Sequence, residues 1–251
     1  MTDLPDLSGR VALVTGASRG IGYAVSVALA KAGAHVIAVA RTVGGLEDLD
    51  DAIKAEGGQA TLVPFDLKDV DAIDRLGAAI YERWQKLDIF FANAGMLGPL
   101  TPLGHIKPKQ WDELIAINLT SNWRLIRTLD PLLRASDAGR AVFMTSGATY
   151  SPRPYWGGYG VTKMALEQLA LTYAMETVNY PLKVNLVNPG PIRTAMRAQA
   201  MPGEDPETLK TPADIAPRIV ALFDPALERH GMIYDFPQDA FLERPKPVVA
   251  E

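Results

Sequence analysis

The stretch Val11-Ala12-Leu13-Val14-Thr15-Gly16-Ala17-Ser18-Arg19-Gly20-Ile21-Gly22 runs from an unbroken apolar tetrad straight into a glycine-rich turn. Four apolar residues bounded by turn-formers fit a buried strand, and the amphipathic run Gly20–Ala32 that follows fits a helix. Glycines between the two permit a tight turn and let backbone N–H groups at a helix N-terminus approach a pyrophosphate. The spacing is G-x-x-x-G-x-G rather than G-x-G-x-x-G, and a plain tight turn is the alternative reading.

Outward from this stretch the same alternation repeats. Apolar runs occur at Val11–Val14, His35–Ala40, Thr61–Phe65, Asp88–Ala92, Ala141–Thr145 and Val184–Val187, with a weaker one at Met232–Phe236. Between them lie helix-like segments: Gly20–Ala32, Leu46–Glu56, Val70–Gln85, Pro108–Ala135, Gly157–Asn179 and Pro212–Phe223. Parallel strands need crossover helices, so the pattern predicts one α/β domain over residues 1–251. Its expected architecture is a single Rossmann-like, doubly wound parallel sheet of about seven strands flanked by helices. The Pro-rich tail 237–251 is expected to be extended or partly disordered. Met196–Lys210, with Met, Pro and Gly but no clean periodicity, reads as a mobile flap.

Composition narrows the function. The chain has 251 residues, 48% hydrophobic, with 25 basic against 29 acidic residues and a net charge of −4, and its basic residues form no run. That balance points away from nucleic acid and from membrane surfaces. Cysteine is absent, which removes disulfides, thiolate nucleophiles and Cys-based metal sites. His35, His105 and His230 show no ligand spacing, so no metal is expected. The polar N-terminus Met1–Arg10 does not look like a signal peptide, and no apolar run approaches the roughly 18 residues needed to span a bilayer. The expected location is cytoplasmic.

The end of the second strand bears on the cofactor. A carboxylate there would bind ribose hydroxyls and repel a 2′-phosphate, but the sequence reads Ala40-Arg41-Thr42. Arg41 can pair with a phosphate and Arg19 can approach it from the glycine loop, which favours NADP(H) and leaves NAD(H) open. Two solvated surface arginines are the alternative. Asp66-Leu67, after the third run, could accept from an adenine amine. Asn93-Ala94-Gly95, after the fourth, could let the backbone lie against the cofactor. An Asp cap and a Gly turn would look the same.

Tyr159-Gly160-Val161-Thr162-Lys163 puts a phenol and an ammonium one helical turn apart on one face. A free phenol titrates too high for easy proton exchange at neutral pH, and a neighbouring lysine charge should favour its phenolate. Ser146, at the end of the fifth run, could hydrogen-bond the same substrate oxygen.

With these residues in place, the chain from about Leu7 to Phe236 resembles the short-chain dehydrogenase/reductase family. The resemblance rests on Thr15–Gly22 (Gly16, Ser18, Arg19, Gly20, Ile21 and Gly22 within it), Asp66, Asn93-Ala94-Gly95, Asn118, Ser146, Tyr159, Lys163 and Asn188–Thr194. It implies that Tyr159 is the general acid/base and that Lys163 lowers its pKa and binds the nicotinamide ribose. Ser146 would orient the substrate oxygen, and Asn118 would hold a water linking Lys163 to solvent. It places Pro189, Gly190, Ile192 and Thr194 along the nicotinamide, and it implies a homodimer or homotetramer built on the two long helices. Arg153–Gly157 and Lys210–Ile215 resemble segments of poorly characterised bacterial oxidoreductases within that family. The family's usual V-D-G-G is here Tyr234-Asp235-Phe236-Pro237.

Met96, Leu97, Tyr155, Trp156, Met196 and Met201 fall on loops expected to surround the nicotinamide, as an apolar substrate pocket or as ordinary loop packing. Trp111 and Trp123, at helical positions, read as core or interface. The expected reaction moves a hydride between NADP(H) and a carbonyl or secondary alcohol of a small molecule, with no nucleic acid or membrane partner. Its rivals are a non-catalytic NADP sensor or scaffold, and a dehydratase, epimerase or enoyl reductase on the same fold.

Overall fold

Residues along the central strands alternate sides, and both sides are covered, which is why the strands read as unbroken apolar runs rather than as alternating ones. The computed structural model describes residues 4–244. Strands β1 (Val11–Thr15), β2 (His35–Ala40), β3 (Gln59–Pro64), β4 (Ile89–Ala92), β5 (Arg140–Met144), β6 (Lys183–Asn188) and β7 (Ile233–Asp235) form one sheet in the order β3-β2-β1-β4-β5-β6-β7. All of these neighbours pair in parallel.

The helices that cover the sheet are α1 (Gly20–Lys31), α2 (Val43–Ala55), α3 (Val70–Trp84), α4 (Pro108–Ile115), α5 (Ser121–Arg134), α6 (Gly157–Glu176), α7 (Ala195–Ala200) and α8 (Pro212–Ala221). On one face Ala12, Val14, Val36, Ala38 and Phe91 pack with Val25 and Leu29 of α1, Leu49 and Ile53 of α2, and Ile215 and Ile219 of α8. On the other, Val11, Leu13, Ile37, Phe90 and Phe143 meet Ile73 and Leu76 of α3, Leu125 and Leu129 of α5, and Leu166 and Tyr173 of α6. Because β1 pairs with β2 on one side and β4 on the other, the strand order reverses there. A crevice opens at that point, outside the carboxyl ends of the strands.

Polar clasps hold the opposite end of the sheet. Asp88, fully buried, accepts from Val11 N at 2.9 Å, from Ser136 Oγ at 2.6 Å and from Lys86 Nζ at 2.9 Å. Burial pushes that carboxyl up, but these bonds outweigh it and hold it below the usual carboxylate range. Arg140, 2% exposed, donates to the carbonyls of Gly139, Asp224 and Leu227 and ties β5 to the loop after α8.

Several elements differ from the sequence reading. Helix α2 starts at Val43, ahead of the expected Leu46, because Gly44 and Gly45 belong to its first turn. A Cβ on Gly45 would stand 3.0 Å from the Ser18 Cβ, so glycine is what lets α2 approach the glycine-rich turn. The single long helix expected over Pro108–Ala135 is interrupted by a π turn at Ala116–Thr120. The tail expected to be extended or partly disordered from Pro237 forms a short 3₁₀ turn at Phe236–Gln238 and then, in extended backbone, an eighth strand, β8 (Ala240–Leu242), antiparallel to β7. Its remainder, 245–251, lies outside the described residues.

The segment Met196–Lys210, read as a flap, carries most of α7 and a 3₁₀ turn at Pro206–Thr208. It is fastened by ion pairs Arg197–Glu204 and Arg193–Glu207 and by a β-bridge between Ile192 and Lys210. Periodicity could not show this, since the ties are between side chains and across a loop. Trp123 is 46% exposed in the single chain and so is not core, while Trp111 is half-buried.

Candidate active site

Every catalytic and cofactor-binding residue expected from the sequence lines one cleft of about 860 Å³ at the carboxyl ends of the strands, apart from Gly22 and Asn118. Those two lie directly behind it and shape it.

At the dinucleotide end, Gly16 has φ of +67° and Gly20 +59°, the left-handed conformation that favours glycine. Gly22 is held tighter still. A Cβ there would fall 2.3 Å from the Gly16 carbonyl oxygen and 2.5 Å from Asn93 Nδ2. The turn is locked to the strand beside it, since Asn93 Nδ2 donates to Thr15 O at 2.9 Å, and Thr15 Oγ1 accepts from Asn93 N at 3.1 Å and Ala94 N at 3.0 Å. Helix α1 has Arg19 at its N-cap with no side-chain cap bond, and its first residues Gly20 and Ile21 line the cleft, leaving its first N–H groups available to an anion there. Arg41, its side chain 65% exposed, stands 3.9 Å from Asp66, which also accepts from Lys68 N. Asp66 therefore serves the loop and lies within ion-pair range of Arg41.

At the far end, Ser146 lies two residues past β5 and caps the 3₁₀ turn Gly147–Thr149. It lines the cleft with Tyr159, which is buried on the first turn of α6. Lys163, one turn along, donates from Nζ to the Met144 carbonyl at 2.8 Å, and that Nζ is 5.8 Å from the centre of the Tyr159 ring. Burial pushes Tyr159 up, with the Ser146 hydroxyl pulling the other way. The lysine pull expected from the sequence does not set the direction here. Lys163 spends a bond on Met144, and burial pushes it down to about 8, opposed by the charge of Glu167.

Asn118, 0% exposed, sits in the π turn, a local insertion of the kind that re-aims a side chain. Its Oδ1 accepts from Met96 N at 2.9 Å, and its Nδ2 donates to Met96 O at 2.9 Å and Thr162 Oγ1 at 3.0 Å, bracing the Asn93–Met96 turn against α6. At Gly95 a Cβ would be 3.5 Å from both Asn118 Oδ1 and Lys163 Nζ, so glycine keeps that corner open.

The departure at Tyr234–Pro237 supports the cleft. Asp235 accepts from Asn188 Nδ2 at 2.6 Å, and Gly190, at φ +65°, turns directly over Pro237. Met96, Leu97, Trp156 and Met196 line the cleft. Met201 packs behind them, and Tyr155 projects to solvent, 58% exposed, from a backbone at φ +73°.

The sequence reading missed Glu167, fully buried one turn beyond Lys163. The signal was present, since the spacing Tyr159-x₃-Lys163 repeats as Lys163-x₃-Glu167, a carboxylate on an otherwise inward-facing row.

The short chain dehydrogenase family model matches residues 10–205. The chain belongs to this family. The Escherichia coli oxidoreductase YciK is 38% identical over 233 residues, spanning 91% of this chain and 92% of that one. A Shigella flexneri short chain dehydrogenase crystallised with NADP superposes with a TM-score of 0.88 at 38% identity, covering 93% of this chain and 99% of that one. A Mycobacterium tuberculosis relative described as an NAD-dependent oxidoreductase is 35% identical over 204 residues, 76% of this chain and 74% of its own. The chain is thus a short-chain dehydrogenase-type oxidoreductase with the family's Rossmann-like fold. Among the described residues no helix is long and apolar enough to cross a membrane, and no cluster of three metal-ligating side chains occurs.

A buried lysine also marks the stability of this short-chain dehydrogenase. Lys163 is charged below about 8 when folded but up to about 10.5 when unfolded, so between those values the unfolded chain holds the extra proton. Folding stability in the absence of cofactor should therefore rise from pH 8 to about 10.5, and Lys163→Met should flatten the rise. Denaturant unfolding at both pH values for both proteins checks this, and equal slopes would contradict it.

Proposed function

We propose that this chain is an NADP(H)-dependent reductase of neutral, apolar ketones and aldehydes, in which Tyr159 delivers the proton to the carbonyl oxygen. The observation that carries the reading is the meeting of Ser146, Tyr159 and Lys163 at one end of a cleft whose other end holds the glycine turn, Arg19 and Arg41. Gly16, Ser18, Gly20 and Ile21 would hold the pyrophosphate, with Arg19 and Arg41 on the 2′-phosphate. Asp66 and Leu67 would lie at the adenine. Asn93, Ala94, Gly95, Pro189, Gly190, Ile192 and Thr194 would lie along the nicotinamide half, with Tyr159 and Lys163 at the ribose. Gly22 fits this assignment because a Cβ there would push the turn outward into the dinucleotide. When bound, NADPH supplies the hydride.

The protein's own work is orientation and proton transfer. Ser146 Oγ and Tyr159 Oη bond the substrate oxygen, the tyrosine releases its proton as negative charge develops there, and the Lys163 ammonium steadies the phenolate left behind. Asn118 would hold the water through which Lys163 exchanges protons with solvent.

Substrate character follows from what faces Tyr159. Leu97, Leu100, Ala148, Trp156, Met196 and Met201 gather around it, and the Trp156 ring meets the Tyr159 ring edge-on at 6.0 Å. Of the charged side chains lining this end, Arg197 is matched with Glu204 and Glu113 with Lys68, while Arg153 stands outside the lining, over the Trp156 ring at 5.9 Å. Inside the cleft a carboxylate or phosphate on the substrate would meet these already paired side chains and the apolar wall, whereas an apolar or aryl group gains by burial. Exposed Trp123 on α5 and Val161, Met164 and Met175 on α6 support pairing of copies through these helices as a homodimer or homotetramer.

The test is NADPH consumption by the purified protein with a neutral aryl ketone and with the same ketone bearing a carboxylate. The neutral compound should have a kcat/KM about tenfold or more higher, from one uncompensated charge at the apolar wall. Preference for the carboxylate would overturn the substrate assignment. Any saturable turnover removes the sensor and scaffold rival.

A further inference from the structure

Glu167 is 0% exposed, and its chemistry is not absorbed by the reaction above. A carboxylate that far from water demands partners. Two are hydroxyls on either side of Ser146: Thr145 Oγ1 donates to Glu167 Oε1 at 2.5 Å, and Thr149 Oγ1 lies 2.7 Å from the same oxygen and 2.8 Å from the Ser146 carbonyl, sharing its one proton between them. Lys163, one turn earlier on the same face of α6, bonds the carbonyl of Met144, the residue before Thr145. Two successive turns of α6 thus grip two successive residues at the end of β5, and Ser146 is the next residue along.

The other groups facing Glu167 are few. Arg244, after β8, reaches Oε2 at 3.5 Å from a side chain 31% exposed. Tyr150, from the turn capped by Ser146, is pushed up to about 12, first by burial and then by the charges of Glu167 and Asp235. The remaining charge is the Lys163 ammonium, itself buried.

We propose that Glu167 is a positioning residue for the proton-handling set, its carboxylate fixed by Thr145 and Thr149 so that it holds Lys163 as an ammonium in register with β5 and Ser146. This rests on the assignment of Lys163 to that set, but its test does not need turnover. Burial drives Lys163 toward its neutral form, and the charge of Glu167 opposes it. Glutamine at 167 keeps the shape and the acceptor for Thr145 while removing the charge.

The experiment is a pH titration of the Lys163 side chain by carbon NMR of labelled lysine in the cofactor-free protein, the signal assigned by its loss in Lys163→Arg. The wild-type signal should titrate near 8, and in Glu167→Gln about one pH unit lower. An unchanged titration in a folded Glu167→Gln protein would overturn the proposal, because a purely structural role moves stability without moving that signal. Arg244→Ala changes only a partly exposed group and provides the reverse test if Glu167→Gln does not fold. Removing that competing cation should raise the Lys163 titration, and no rise would overturn the proposal. Absence of ketone turnover in the wild-type protein would count against the proposed function alone.

Discussion

Tyr159→Phe should lower kcat by about 10³-fold or more while NADPH affinity stays within a few-fold. Phenylalanine keeps the ring, its edge-on contact with Trp156 and its place on the first turn of α6, and removes only the hydroxyl. Since burial already pushes this phenol up, it is protonated at neutral pH and suited to give a proton to a carbonyl oxygen as charge develops. Without it the oxygen keeps one neutral donor, Ser146, and has no acid. Steady-state kinetics and NADPH fluorescence titration on the same preparation read the two halves separately. Full turnover in Tyr159→Phe would sink the assignment, and loss of binding and turnover together would make Tyr159 a cofactor residue only.

The double variant Arg19→Ala/Arg41→Ala should weaken NADPH binding by about 10²-fold or more and leave NADH binding nearly unchanged. Each arginine is assigned a charge-assisted bond to the 2′-phosphate, worth about 1.5–3 kcal/mol. Neither guanidinium holds up the fold. Arg41 has one long contact to Asp66, at 3.9 Å and largely exposed, and such pairs contribute little to stability. The difference between the two nucleotides is the informative quantity, because Asp66 in the same cleft is a carboxylate that a 2′-hydroxyl could also use. Equal losses for NADPH and NADH would remove both arginines as readers of the phosphate. The relatives leave this choice to experiment, one having been crystallised with NADP and another being described as NAD-dependent.

The architecture was legible because its signals are local. Val11–Gly22 reads as strand, turn and helix on composition alone, and the doubly wound order follows from the alternation of runs with crossover-length helices. Tyr159 and Lys163 were equally plain, being one helical turn apart. What escaped depends on contacts between distant segments. Glu167 owes its role to hydroxyls on the far side of the β5 turn, and a glutamate inside a long helix is by itself unremarkable. The π turn at Asn118 adds one residue to a helix whose sequence gives no break. The first turn of α2 hides behind two glycines, and the use of Gly45 appears only when Ser18 packs on it. The segment after Thr194 lacks period because its order comes from Arg193–Glu207 and Arg197–Glu204, pairs that only a folded loop brings together. The direction of the Tyr159 shift also depends on burial, which spacing does not report.

The most direct test of the central claim is isotope transfer. The purified protein would be given NADPH deuterated at nicotinamide C4, on each face in turn, with a neutral aryl ketone, and the alcohol analysed by mass spectrometry and NMR. One deuterium on the carbinol carbon from one face only, lost in Tyr159→Phe, is the result predicted here. NADPH that binds the cleft yet transfers no deuterium to any neutral carbonyl would contradict the claim and leave a nucleotide-binding protein without this chemistry.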